Sequence, residues 1–187
     1  MRSIVVVDYD PAWPAVFEQL RARLRPALSD PAWRIEHVGS TSVPGLAAKP
    51  VIDLSVVVPA ANALPPVIER LAGLDYIHLG ELGVEGREAF RCTADLPAHN
   101  LYACPQGSLG LVNQLAVRDY LRAHAETAQA YAALKRRLAE QFPHDIDSYV
   151  DGKTDLLLDI LTRAGIDAGR LAAIERANRK PAGGATR

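Results

Sequence analysis

Residues His37 to Asp53 read His-Val-Gly-Ser-Thr-Ser-Val-Pro-Gly-Leu-Ala-Ala-Lys-Pro-Val-Ile-Asp. One short segment thus carries a glycine (Gly39), three hydroxyls (Ser40, Thr41, Ser42), a lysine (Lys49) and an acid (Asp53). A Gly-Ser turn offers backbone N–H groups and a hydroxyl to phosphate oxygens, because glycine lets the backbone come close. A carboxylate on the next strand can hold Mg²⁺ against those phosphates. The chemistry suggested is phosphate binding, with or without group transfer. The plainer alternative is a polar turn followed by an aspartate at a sheet edge, and the residues alone leave both open.

Two better-known motifs are absent. Walker A requires G-x-x-x-x-G-K-[ST], but here five residues separate Gly39 from Gly45, and Leu46 follows in place of lysine. The hydrolase elbow G-x-S-x-G would need Ser and Gly where Thr41 and Val43 stand.

Other charged residues gain interest from spacing. Lys153 lies four residues after Tyr149 and four before Leu157, on an apolar stripe of an expected helix. Arg118 lies three after Leu115 and three before Leu121. A charge on such a stripe needs a partner or a cleft, so each reaches an anionic ligand or forms a structural ion pair. His37 and His99 fall at strand ends, where imidazole serves as base, ligand or a hydrogen-bonded sheet residue. Glu36, Glu88 and Asp95 are further acids whose direction the sequence does not fix. Asp151, Asp155 and Asp159, four apart, read as a solvated helix face. Cys92 and Cys104 have apolar neighbours and read as small buried hydrophobes.

The segment His37–Asp53 resembles the GrpB family, a branch of the nucleotidyltransferase-like superfamily, whose hallmark is approximately H-x-G-S-T-[SA]-[VI]-P-G-L-x-A-K-P-x-I-D. Tyr9-Asp10-Pro11-Ala12-Trp13, His99-Asn100-Leu101-Tyr102, Gly107-Ser108 and Val117 to Arg122 resemble further landmarks in the family's order. So do Tyr131 to Lys135 and Tyr149 to Lys153. The resemblance runs from about residue 4 to 164 and implies a nucleotidyltransferase-type mixed sheet with flanking helices. In that superfamily a Gly-Ser turn grips the triphosphate, and carboxylates spaced D-x-D on the next strand bind metal. Carried over, Gly39, Ser40, Thr41 and Ser42 hold phosphates and Asp53 ligates Mg²⁺. Lys49, Arg118 and Lys153 neutralise phosphate charge, and His99 orients or deprotonates an acceptor. Ser55 departs from the pattern, because it stands where the second acid belongs. Two expectations follow. One is Mg-dependent transfer of a nucleotidyl or phosphoryl group from a nucleoside triphosphate to a small acceptor. The other is a non-catalytic nucleotide- or anion-binding module with an incomplete metal site.

The elements that must position these residues read as α+β: strands first, helices later. Strands are expected at 4–7, 33–38, 51–58, 76–79, 89–93 and 100–104, the last two as an antiparallel hairpin. A helix starts at Asp10-Pro11, with Trp13, Val16, Phe17, Leu20, Leu24 and Leu28 as its stripe. Another spans 64–74. Four follow Pro105, to about 123, 142, 164 and 178. The expected organisation is a core over 1–105, helices packed on it over 106–180, and a flexible tail at 181–187.

The chain has 187 residues, 21 basic and 22 acidic, for a net charge of −1. That balance, with no basic-aromatic stripe, argues against a nucleic-acid partner. No apolar run nears the ~20 residues that cross a bilayer, so no membrane partner is expected. The opening residues reach Asp8 too soon for a signal peptide, and two cysteines make no disulfide framework. A cytoplasmic setting is expected. Only four basic residues are lysine (Lys49, Lys135, Lys153 and Lys180), so the position of each is informative.

Overall fold

A computed structural model describes residues 3–179 of the chain. The expected tail and Lys180 lie outside the described residues.

Asp10 closes a turn just ahead of the first helix, whose N-cap is Ala12. Its carboxylate accepts the Ala12 N–H at 2.8 Å, and its carbonyl accepts that of Trp13. Helix α1 (Trp13–Leu24) follows, with a proline in its first turn and Trp13, Phe17, Leu20 and Leu24 buried. Strand β1 (Arg34–Val38) leads into a single 3-10 turn over Ser40–Ser42. Strand β2 (Ile52–Val58), helix α2 (Leu64–Ala72), and strands β3 (Tyr76–Gly80), β4 (Glu88–Cys92) and β5 (His99–Pro105) complete the sheet region. The order is β1-β2-β5-β4-β3. Only the β2–β5 pair is parallel; the others are antiparallel, including the expected β4–β5 hairpin. The sheet is therefore mixed.

Strand β2 alternates two functions. Ile52, Leu54, Val56 and Val58 enter the main core with α1 and α2. Asp53, Ser55 and Val57 face the other way, where Val57 and Cys104 meet Leu111 of helix α3 (Leu109–Ala123). Helix α4 (Ala125–Gln141) then returns past the turn after β1, and Tyr131 and Ala132 pack on Val43, Leu46 and Ala47.

Two expectations are corrected. The run 4–7 is not a sheet strand. It makes one isolated bridge, Val7 with Ala48, and Ile4 donates to the Pro143 carbonyl. Val5 and Val7 are exposed, while Ile4 and Val6 pack on the helical clusters. The run ties the β1–β2 loop to the helices instead of extending the sheet. The expected long helix over 146–164 is two helices, α5 (Ile146–Asp151) and α6 (Thr154–Arg163), followed by α7 (Ala168–Asn178). The break falls at Gly152-Lys153. A Cβ on Gly152 would lie 2.5 Å from Leu138 Cδ2, so the chain passes close against α4 there. The break makes Lys153 the N-cap residue of α6.

Candidate functional site

The site is built around the end of β1. Gly39 has φ +70° and ψ −174°, a region open almost only to glycine. It also sits against the neighbouring strand: a Cβ added there would meet Asp53 Oδ2 at 2.1 Å, Cγ at 2.8 Å and Cβ at 2.9 Å. The backbone of the turn and the Asp53 carboxylate are thus in immediate contact, as Val38 and Asp53 pair across β1 and β2.

Two of the three turn hydroxyls bond back to the turn and to β1. Ser42 Oγ donates to the Gly39 carbonyl at 2.6 Å. Thr41 Oγ1 meets His37 Nε2 at 3.1 Å, and that imidazole stacks on Phe17. Burial, aided by the charges of Arg122 and Arg118, lowers the His37 pKa to about 4, so the ring is neutral. Arg122 braces the turn from α3 through two N–H donors to the Ser42 carbonyl, at 2.7 and 3.1 Å. Ser40 Oγ instead accepts from Lys135 Nζ at 2.9 Å. Lys135 is 2% exposed, also donates to the Ala47 carbonyl, and lies 4.6 Å from the Tyr131 ring centroid. Burial is the main reason its pKa falls to about 7; the charges of Lys153 and Arg136 act the same way and Asp53 opposes them.

Around Ser40 a cleft of about 230 Å³ is lined by Gly39, Lys49, Asp53, Asn100, Tyr131, Lys135, Tyr149 and Lys153 among others. Three of the chain's four lysines therefore meet in one place. The Nζ atoms of Lys153 and Lys49 lie 4.4 and 5.7 Å from the Tyr149 ring centroid. Burial, then the Lys49 charge, lowers the Lys153 pKa to about 8. Asp53 Oδ1 accepts from Asn100 Nδ2 at 2.8 Å. Burial raises the Asp53 pKa, against the pull of that hydrogen bond and of Lys49, Lys153 and Arg87.

Two sequence candidates stand apart from this cleft. His99 is one residue from Asn100 and faces the opposite side of the sheet, towards Tyr76 in the main core. Its Nδ1–H donates to the Pro97 carbonyl at 2.6 Å, so Nε2 accepts from the Tyr76 hydroxyl at 2.7 Å. The expected role on an acceptor is corrected: both ring nitrogens are engaged on the wrong face. Arg118 is bound to Glu36 at 2.9 Å, Asp119 at 2.7 Å and the His37 carbonyl at 3.1 Å. It lines a smaller neighbouring cavity of about 140 Å³ with Ser40, Gln114 and Tyr131, and its guanidinium is already paired.

Lys135, Asn100 and Tyr131 escaped the residue-level reading. Lys135 follows Tyr131 by four residues on the α4 stripe, the same sequence signal that marks Lys153.

The metal question turns on the donors. Ser55, on the Asp53 face, is fully buried and donates to Gln114 Oε1 at 2.6 Å. Beside it in register stands Tyr102, and beside Asp53 stands Asn100. None of these carries a charge. Glu36 is taken by Arg118 and Arg34, and Glu88 bonds His78. Among the described residues no cluster of three or more His, Cys, Asp or Glu is placed to hold a metal. One carboxylate beside three ammonium groups does not fit the two-metal site of group transfer. Restoring the acid at Ser55 should therefore fail. Ser55→Asp is expected to destabilise the fold by at least ~3 kcal/mol, because it buries an unpaired charge, and denaturant unfolding measures this. A stable Ser55→Asp protein that gains Mg²⁺ affinity would contradict the donor argument.

Comparison with known proteins adds context. A family model described as GrpB protein matches residues 3–163. The UPF0157 protein YqkA of Bacillus subtilis is 34% identical over 154 residues, covering 82% of this chain and 45% of YqkA. The chain thus spans under half of that relative's length. The crystal structure of conserved protein GrpB from Enterococcus faecalis aligns with TM-score 0.75 and 33% identity, over 86% of this chain and 96% of that one. The Cid1 poly(U) polymerase with Mg 3′-dATP bound aligns with TM-score 0.50 and 16% identity, over 73% of this chain and 44% of that one, a likeness of fold. No helix among the described residues is long and apolar enough to cross a membrane.

Proposed function

The chain belongs to the GrpB family, and from that membership we propose that its cleft binds the phosphates of a small anionic molecule, a nucleotide foremost, through lysine charge instead of metal. The observation that carries this reading is the convergence of Lys49, Lys135 and Lys153 on one cleft, where Lys135 bonds Ser40 and Asp53 is the single acid among the described lining residues. Ammonium groups held in a half-closed site of low dielectric attract phosphate more strongly than solvated ones. Lys135 and Tyr149 are anchored by packing, so little ordering remains to be done on binding. The nucleotide preference rests on the fold shared with Cid1, which binds one.

The second reading is Mg-dependent nucleotidyl or phosphoryl transfer. Its specific support is the contact of Asp53 with the Gly39-Ser40 turn. The two readings differ in sign at one residue. In the lysine-driven site Asp53 repels the ligand, and in the metal site Asp53 recruits it.

Calorimetric titration with ATP, GTP, CTP and UTP, with and without Mg²⁺, separates them. Binding is expected without Mg²⁺, and Asp53→Asn is expected to tighten it about tenfold, near 1.4 kcal/mol, as a like charge is removed. Binding that requires Mg²⁺ and is lost in Asp53→Asn would favour the transfer reading instead.

A further inference from the structure

Further along the sheet face that carries Asp53 stands an arginine that the cleft described above does not include. Arg87 ends the β3–β4 loop, whose placement is fixed. Glu81 Oε1 accepts the Gly86 N–H at 2.7 Å, and the Arg87 N–H donates to the Val84 carbonyl. A Cβ on Gly86 would lie 3.0 Å from Ser108 Cβ, and one on Gly110 would lie 3.0 Å from Arg87 Cβ and 3.3 Å from its Cδ. The loop and the side-chain stem are therefore packed tightly on the first turn of α3. The guanidinium carbon lies 4.8 Å from the Tyr102 ring centroid.

This arginine has no carboxylate partner among the described residues, and its Nε is buried without a hydrogen-bond acceptor. Two acids of this region are engaged elsewhere: Glu88 with His78, and Glu81 with the Gly86 backbone. Holding an unpaired guanidinium partly out of water is costly unless an anion completes it. Tyr102, beneath it, pairs with Ser55, as Asn100 pairs with Asp53. By strand rise and spacing, the Tyr102 Cα is about 8 Å from that of Asp53. The Arg87 charge acts on Asp53 from this side, while Lys49 and Lys153 act from the other.

We infer that Arg87, seated on Tyr102, is a second anionic subsite, so that the ligand is an elongated polyanion whose one end lies among the lysines and whose other end is gripped by this guanidinium. Nucleoside triphosphates and linear polyphosphates have this form; a single phosphate does not. The inference rests on the lysine cleft being a phosphate site and extends it along the sheet.

The test is an NMR titration of the full chain with inorganic phosphate, tripolyphosphate and ATP, in wild type, Arg87→Gln and Arg87→Lys. Thermal melts of each variant check the fold. Inorganic phosphate is expected to bind all three proteins alike. Tripolyphosphate and ATP are expected to lose roughly tenfold or more in Arg87→Gln, the value of a charge-assisted fork. Arg87→Lys is expected to recover only part of this, because an ammonium lacks the fork. Unchanged affinity of Arg87→Gln for tripolyphosphate and ATP would overturn the subsite and leave the lysine cleft standing. An equal loss for inorganic phosphate would overturn it too, since Arg87 would then act only through its distant field. Failure of all three ligands to bind wild type would remove the underlying reading itself.

Discussion

Replacing Gly39 with alanine is expected to abolish phosphate binding and to cost roughly 2–6 kcal/mol of stability, the sum of a backbone and a steric penalty. The backbone part comes from φ +70° with ψ −174°, which an L side chain resists. The steric part comes from the Asp53 carboxylate, whose Oδ2 would lie 2.1 Å from the new methyl. Neither side can yield cheaply. The Asp53 side chain stands on a central strand and is tied to Asn100, and the turn is tied to Arg122 and Lys135. Denaturant unfolding measures the loss. A double-mutant cycle gives the sharper check, because Asp53→Gly deletes all three clashing atoms. In that background Gly39→Ala should cost only the backbone part, about 1–3 kcal/mol. Equal cost in both backgrounds would mean the strand and turn are not in contact.

Lys135→Met should lower phosphate affinity at least tenfold, as a charge-assisted hydrogen-bond donor disappears from the cleft. It should also change two pH slopes that run in opposite directions. The folded protein holds the Lys135 pKa near 7, against 10.5 in the unfolded chain. Below pH 7 both states carry the proton. Between 7 and 10.5 the unfolded chain binds more protons than the folded one, so stability rises with pH through that window. Lys153, lowered to about 8, adds a contribution of the same sign. Affinity for an anion of fixed charge runs the other way: it is highest below pH 7 and falls as the two lysines lose their charge. Chemical denaturation and titration with sulfate, whose charge is constant from pH 6 to 9, give both curves. Lys135→Met is expected to flatten each. Sulfate affinity that is constant or rising over that range in wild type would exclude the lysine-driven site.

Much of the framework is local and was legible in the sequence. The β-branched run of β2, the 3.6-residue stripes of α1, α3 and α4, and the glycine-hydroxyl turn each follow from their own residues, since burial imprints its period on a continuous segment. The same locality explains the failures. The run 4–7 has strand composition, but its backbone pairs with Ala48 of the β1–β2 loop and with Pro143 instead of with a sheet edge. The stripe over 146–164 is continuous in sequence, yet close passage of Gly152 past Leu138 divides it.

The site depended on longer reach. His99 and Asn100 are adjacent, and only the register of β5 on β2 decides that Asn100 meets Asp53 while His99 turns to Tyr76. Ser40 and Lys135 are 95 positions apart, and their contact exists because α4 packs on the loop that follows the turn. Arg87 is brought over Tyr102 by a loop packed on α3. The sequence by itself thus determined the turn, its aspartate and the absence of a second acid at Ser55. Tertiary packing alone decided that three lysines and no further carboxylate surround that aspartate, because neighbours across a fold are chosen by which surfaces exclude water together, and no local period records that choice.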